Sequence, residues 1–278
     1  MGELRTPAPD RSEIQIEQGI FQVTPEVLRF HDGFANFYLL QGPKAGVVVD
    51  TGLGTPQSMT NLEKMAAKAP PIAAIILTHG HPDHNGGVKR LSFTLGARVI
   101  EGASKGEAIE LGDRSVQVVP GKGHTRDSQY IVDPERKIVF TGDNILGDSS
   151  ADVRYMADYM AGLENLLGME PEVVCPGHGE PSYDAMGEIR DLIEHRKMRE
   201  EQIVDAVKKG ASTPMELFWT VYGVSYKDRK EMATRQIEAH LEKLKTEGRV
   251  VKIGIGLVFP KLFILIFLLV FQPLRFIS

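Results

Sequence analysis

The chain has 278 residues, 42% of them hydrophobic and 25% charged, with a formal net charge of −5. This is a globular composition, which excludes disordered and collagen-like chains, and the length allows one large domain with an appendage. Cys175 is the only cysteine, so neither a disulfide framework nor a cysteine-rich zinc finger is available, while eight histidines leave room for a histidine–carboxylate metal site.

In chain order, the first twelve residues mix prolines, arginines and acids without an apolar run, unlike a signal peptide. Short strands are predicted at Phe37–Leu40 and Gly46–Asp50, followed by a helix over Leu53–Lys68 that Pro70-Pro71 stops. Ile72–Leu77 has the pattern of a buried strand running into a histidine-rich loop. Further strands are predicted at Arg98–Glu101, Ser115–Val119, Gln129–Val132 and Ile138–Phe140, with helices near Met156–Leu167 and Asp184–Lys208. Interleaved strands and helices predict a mixed α/β fold with chemistry at strand ends.

Charge divides the chain. Residues 1–194 carry 17 Lys and Arg against 28 Asp and Glu, a balance of −11, whereas residues 195–256 carry 13 against 9, a balance of +4. The expected organisation is a catalytic domain over 13–194, a small basic domain over 195–256 and a hydrophobic tail over 257–278. The tail holds an unbroken apolar run from Leu262 to Phe271, borderline for a membrane-spanning helix of about 20 residues. An anchor, a packed segment and a segment foreign to the fold remain open for it, and a membrane contact would come only through it. The rest of the chain reads as cytoplasmic.

The chemistry is concentrated in Thr78-His79-Gly80-His81-Pro82-Asp83-His84, where three histidines and an aspartate fall within six residues after an apolar strand. Imidazole nitrogens and carboxylate oxygens are zinc ligands. His79 and His81 alternate on an extended segment and can face one metal, while the turn at Pro82 lets Asp83 and His84 reach a second position. His124, Asp143 and His178 each follow an apolar strand and sit beside glycine. Singly each is an ordinary loop residue; together they bring ligand-type side chains to one edge of the fold.

This set, His79-x-His81-x-Asp83-His84 with His124, Asp143 and His178, resembles the metallo-β-lactamase superfamily over roughly residues 15–180, including Asp50-Thr51-Gly52. The resemblance implies an αβ/βα sandwich with a dinuclear metal site. His79, His81 and His124 would hold one metal, and Asp83, His84 and His178 the other. Asp143 would bridge them. Asp50 would orient a ligand or, equally, be a simple turn acid.

His124-Thr125-Arg126-Asp127-Ser128, Thr141-Gly142-Asp143-Asn144 and His195-Arg196-x-x-Arg199-Glu200 are similar to the lactamase-beta-like protein 2 group, which carries a C-terminal winged helix. Ser212-Thr213-Pro214-x-Glu216-Leu217 accordingly reads as an N-capped helix, and Ile237 to Leu244 as an amphipathic helix ending at Gly248 before a wing strand. Lys122-Gly123 departs from the Pro-Gly common before the third histidine.

The expected enzyme is a dinuclear hydrolase in which hydroxide bridging two zinc ions attacks a thioester, carboxylic ester or lactone, with Asp83 as proton acceptor. Iron or manganese would also fit the ligands. Two alternatives are kept: an endoribonuclease on single-stranded RNA, which the −11 domain disfavours, and a mononuclear iron sulfur dioxygenase. Trp219 is expected in the core, Cys175 as a small buried residue, and the appendage as an RNA-docking, lid or homodimer element.

Overall fold

The computed structural model describes residues 13–102, 106–147, 149–253 and 256–258. The chain forms two compact units, Met1–Asp191 and Leu192–Ser278. The hydrophobic tail expected over 257–278 lies outside the described residues, apart from its first two.

The first unit opens with a meander of β1 (Ile14–Glu17), β2 (Ile20–Thr24), β3 (Val27–His31), β4 (Asn36–Gln41) and β5 (Gly46–Val49). There follow α1 (Pro56–Ala66), β6 (Ile72–Ile76), the short α2 (Pro82–Asn85), α3 (Val88–Leu95) and β7 (Arg98–Ile100). These seven strands form one sheet in chain order, antiparallel from β1 to β5 and parallel from β5 to β7. The second sheet is built from β8 (Ala108–Glu110), β9 (Ser115–Pro120), β10 (Gln129–Asp133), β11 (Ile138–Gly142) and, after α4 (Met156–Gly168), β12 (Val173–Pro176). Its order is β12-β11-β10-β9-β8, with only β11 and β12 parallel.

Alternation along β5 and β6 explains the layering, because successive side chains of a strand point to opposite faces. Val47, Val49, Ala74 and Ile76 belong to the core shared with Val116, Val118, Ile131, Phe140 and Cys175 of the second sheet. Val48, Ile75 and Leu77 face the other way and pack with Met59, Leu62 and Ala66 of α1 and Leu91 of α3. Strands buried on both faces read as continuous apolar runs, which is how Ile72–Leu77 reads in the sequence. On the second sheet, Gly162 of α4 lies so close to Tyr130 that a Cβ there would stand 3.0 Å from its hydroxyl. The αβ/βα sandwich expected from the sequence is the architecture found.

The predicted strands are present within a residue or two. Helix α1 begins at Pro56 rather than Leu53, because the Thr55 side chain accepts from the Ser58 amide and Pro56 occupies the first helical turn. The parallel connections β5–α1–β6 and β11–α4–β12 leave Asp50, His79, Asp143 and His178 just beyond the carboxyl ends of their strands, where α/β sheets carry their ligands. Strand β9 runs in the same direction as β11 and delivers His124 to the same edge.

Helix α5 (Ala185–Lys208) begins in the first unit and ends in the second, which continues with α6 (Pro214–Val221), a 3-10 turn (Val224–Arg229), α7 (Lys230–Thr246), β13 (Val251–Ile253) and β14 (Gly256–Val258). A capping box closes the start of α6: the Thr213 hydroxyl accepts from the Glu216 amide while the Glu216 carboxylate returns to the Thr213 amide. Ile203, Val207, Leu217, Phe218, Ile237, Leu241 and Leu244 make this unit's core. Trp219 does not join it. It is 47% exposed, since Leu217 and Phe218 occupy the buried stripe of α6 and the next position turns out by about 100°.

Candidate metal centre

Each ligand-type side chain is aimed by a second group. His79 Nδ1 lies 3.1 Å from the Thr78 hydroxyl, which donates to Asp50 Oδ2 at 2.7 Å. The same Asp50 oxygen lies 2.8 Å from His84 Nδ1, and Asp50 Oδ1 accepts the Thr78 amide at 2.7 Å. His124 Nδ1 meets the Asp152 carbonyl at 2.8 Å, and His178 Nδ1 the Phe34 carbonyl at 2.7 Å. In all four rings Nδ1 is thereby engaged and Nε2 is turned toward the centre, as the second partners of metal-binding histidines do. Asp50 is therefore more than a turn acid. It is buried, it holds φ at +57°, a left-handed conformation uncommon outside glycine, and it orients His84 directly and His79 through Thr78.

The free atoms converge. His79 Nε2 is 3.0 Å and His124 Nε2 3.1 Å from His81 Nδ1. Ligands at 2.0–2.1 Å around a tetrahedral zinc would stand roughly 3.3 Å apart, so these three nitrogens are nearly at the spacing of one coordination shell. Beside them, His178 Nε2 lies 3.4 Å from Asp83 Oδ2, and His84 Nε2 lies 3.8 Å from that oxygen. Asp143 faces both groups. Its Oδ1 is 3.2 Å from His84 Nε2 and 3.3 Å from His178 Nε2, while its Oδ2 is 3.6 Å from His124 Nε2 and 3.9 Å from His79 Nε2. Two clusters of potential ligands result, His79, His81, His124 and Asp143 in one and Asp83, His84 and His178 in the other. All seven ligand residues named from the sequence are thus brought together.

Two observations fit a cation there. His84 Nε2 and Asp143 Oδ1 are buried and form no hydrogen bond despite their 3.2 Å approach, an expensive arrangement unless something else satisfies both. The electrostatics agree. Burial opposes a charge on His84, yet Asp50 and Asp143 carry its imidazole up to about 10. Burial likewise opposes a charge on Asp143, but His178 and His84 hold its carboxyl well below the usual range. His79 is pushed the other way, to about 2, by burial and then by His84, so it stays neutral and able to ligate.

The sequence reading missed the groups that shape the loops. The Asn144 side chain accepts the His124 amide at 2.9 Å. The Asn36 amide donates to the carbonyls of Pro176 and Gly179, and the Tyr38 hydroxyl donates to Pro176, which pins the turn carrying His178. Gly177 cannot be larger, since a Cβ would lie 2.5 Å from Asp143 Oδ1 and 2.7 Å from His84 Cε1.

Comparison with known proteins agrees with this geometry. Residues 32–109 and 101–178 match the metallo-beta-lactamase superfamily, and residues 213–256 match the beta-lactamase associated winged helix domain. A beta-lactamase-like protein 2 homolog of Drosophila melanogaster is 30% identical over 244 residues, covering 77% of this chain and 83% of the relative. An atrochrysone carboxyl ACP thioesterase of Cryptosporiopsis sp. is 27% identical, covering 84% of each chain. Among solved structures, a metallo-beta-lactamase family protein of Thermus thermophilus superposes with a TM-score of 0.62 at 21% identity, covering 86% of this chain and all of that one. A beta-lactamase domain protein of Burkholderia ambifaria gives 0.65 at 20% identity, covering 86% and 94%. The chain belongs to the metallo-beta-lactamase superfamily and is one of its hydrolases that carry a C-terminal winged helix domain.

Proposed function

We propose that this chain hydrolyses acyl thioesters at a pair of zinc ions, one held by His79, His81 and His124, the other by Asp83, His84 and His178, with Asp143 between them. The observation that carries the reading is Asp143, whose two oxygens face the two ligand groups. When bound, a metal pair supplies a Lewis acid and a water acidic enough to attack near neutral pH.

The chain's own residues supply the rest. Asp50, Thr78 and the Asp152 and Phe34 carbonyls keep the Nδ1 protons in place. Asp83, whose side chain is 32% exposed, is the carboxylate at the open side of the centre, positioned to accept the proton of the attacking water. A thiol of pKa near 8.5 leaves readily as thiolate, so no strong general acid is needed opposite it.

Thioesters rank above other esters because two of the relatives are named thioesterases, and above RNA because residues 1–194 carry a balance of −11, which repels a polyanion. Cleavage of single-stranded RNA is the second reading. It draws on exposed Trp219 in the winged helix unit, with Lys230 Nζ 5.8 Å from the ring centre, a pairing suited to base stacking.

The test is turnover of the zinc-reconstituted protein on acyl thioesters, aryl esters, lactones, single-stranded RNA and a phosphodiester chromogen. Metal-dependent thioester cleavage with inert RNA is the expected result. RNA cleavage without acyl turnover would replace it with the second reading, and activity only with one equivalent of iron and oxygen would point to the dioxygenase.

A further inference from the structure

The turn that carries His178 is held from behind by a buried cation. Arg29 lies on β3, is buried, and sets its guanidinium over the Phe21 ring, 4.3 Å from the ring centre. Its Nη1 donates to Asn36 Oδ1 at 2.9 Å and its Nη2 to Glu180 Oε2 at 2.8 Å. Its Nε donates to Glu13 Oε2 at 2.8 Å, and Nη2 also reaches the other oxygen of Glu13. Glu13 suffices to pair a buried guanidinium; the other two partners lead to the His178 turn.

Glu180 lies two residues beyond His178. Asn36 reaches the same turn from its other side, where its Nδ2 donates to the Pro176 carbonyl at 3.1 Å and the Gly179 carbonyl at 2.7 Å. Its backbone amide donates to the Gly177 carbonyl at 2.7 Å. An asparagine amide can turn over, exchanging its oxygen for its NH2. Arginine carries donors only, so the end of Asn36 that faces Arg29 has to be the oxygen. His31 Nδ1 lies 3.2 Å from the same oxygen, but an imidazole nitrogen can accept as well as donate and enforces neither end. Arg29 thereby fixes the NH2 of Asn36 on the turn.

We propose that Arg29 is a positioning residue for the second metal: it holds the His178 turn through Asn36 and through Glu180, and so keeps His178 Nε2 beside Asp83 and Asp143. The inference rests on the part of the proposed function that gives His178 to a metal, and not on the substrate. Arg29 touches no ligand atom. Lysine would keep the charge beside Glu13, but its single nitrogen cannot replace a fork that serves Glu13, Asn36 and Glu180 together.

The test uses the full chain with Arg29→Met and Arg29→Lys. Chelator competition on the zinc-loaded proteins reads the two equivalents, the second identified by its loss in His178→Ala. Amide hydrogen exchange on the metal-free proteins reads the turn itself. Arg29→Met should weaken the equivalent held by Asp83, His84 and His178 about 10–100-fold, as loss of an orienting group does, and leave the other at wild-type affinity. Without metal, the amides of Gly147 and Gly177, which donate to the His178 and Gly142 carbonyls, should exchange roughly tenfold faster. The Gln129 amide, which donates to the Thr78 carbonyl beside the first ligand group, should keep its wild-type rate. Arg29→Lys should fall between wild type and Arg29→Met in both measurements.

Wild-type affinity for both equivalents with wild-type exchange in Arg29→Met overturns the proposal. So does an equal loss at both equivalents, which would make Arg29 a support of the fold at large. If the methionine variant does not fold, wild-type behaviour of Arg29→Lys overturns the proposal alone. A wild type that binds a single equivalent would remove the two-metal reading, while faster exchange confined to Gly147 and Gly177 would still support the hold of Arg29 on the turn.

Discussion

Replacing Asp50 with asparagine changes almost no volume and tests how the centre is oriented. Asp50 Oδ1 takes the Thr78 amide at 2.7 Å, while Oδ2 takes the Thr78 hydroxyl at 2.7 Å and His84 Nδ1 at 2.8 Å. Asparagine must put its NH2 at one of these places, because an amide has one acceptor oxygen. If the NH2 faces His84, Nδ1 has to accept and the ring proton moves to Nε2, the atom that should bind metal. If it faces Thr78, a buried amide donor loses its acceptor at a cost of about 1–3 kcal/mol.

Losing such an orienting partner lowers metal affinity about 10–100-fold, or roughly 1.4–2.7 kcal/mol. Chelator competition on the Asp50→Asn protein should show that weakening in the equivalent held by His84. A smaller effect is expected on the equivalent held by His79, which is reached only through Thr78. The metal-free protein should melt a few degrees lower, at roughly 2–4 °C per kcal/mol for a domain of this size. Two equivalents bound at wild-type affinity, with an unchanged melting temperature, would refute the orienting role.

Gly177→Ala should abolish binding of at least one metal equivalent, since the new Cβ would lie 2.5 Å from Asp143 Oδ1; elemental analysis after dialysis checks it, and full loading would contradict it. Cys175 is buried, and burial raises its thiol pKa, so the native protein should resist thiol-labelling reagents and Cys175→Ala should retain hydrolysis; a large loss of turnover in a folded, metal-loaded variant would count against a metal-based attack. In the winged helix unit, burial pushes His240 below its ordinary value despite Glu200 3.4 Å away, with Arg196 and Lys243 also opposing its charge. A depressed histidine contributes stability that is present above pH 6.5 and lost as pH falls, by at most about 1.4 kcal/mol per pH unit. His240→Leu should therefore flatten the acid limb of urea-unfolding stability between pH 7 and 5, and an unchanged slope would contradict the assignment.

The ligands were legible because metal chemistry restricts residue type and because each ligand follows an apolar strand. His79-x-His81-x-Asp83-His84 could be read directly, and the sandwich followed from the strands around it. The orienting shell was less legible. The Asp152 and Phe34 carbonyls that tie His124 and His178 are backbone atoms, and no side-chain pattern announces them. Asn36 lies more than a hundred residues from the turn that it holds, so only the fold makes it visible.

Strand β1, Ile14-Gln15-Ile16-Glu17, alternates apolar and polar residues but at four residues is too short to stand out, and all four are exposed in the fold. Helix α2 was hidden in the histidine loop because four residues are too few for a helical period, and the eight-residue α3 after that loop was also not predicted. Trp219 was misplaced because size and apolarity suggest burial, whereas the helical phase set by Leu217 and Phe218 turns it outward. No helix among the described residues is long and apolar enough to cross a membrane, and the apolar run from Leu262 lies outside them.

The most direct test of a two-metal thioesterase is to titrate metal-free protein with zinc while following hydrolysis of an acyl thioester. Activity should stay low through the first equivalent, rise with the second, and vanish together with one bound equivalent in Asp143→Ala. Full activity at a single equivalent, or in Asp143→Ala, would contradict a two-metal centre that Asp143 would help to hold on both sides.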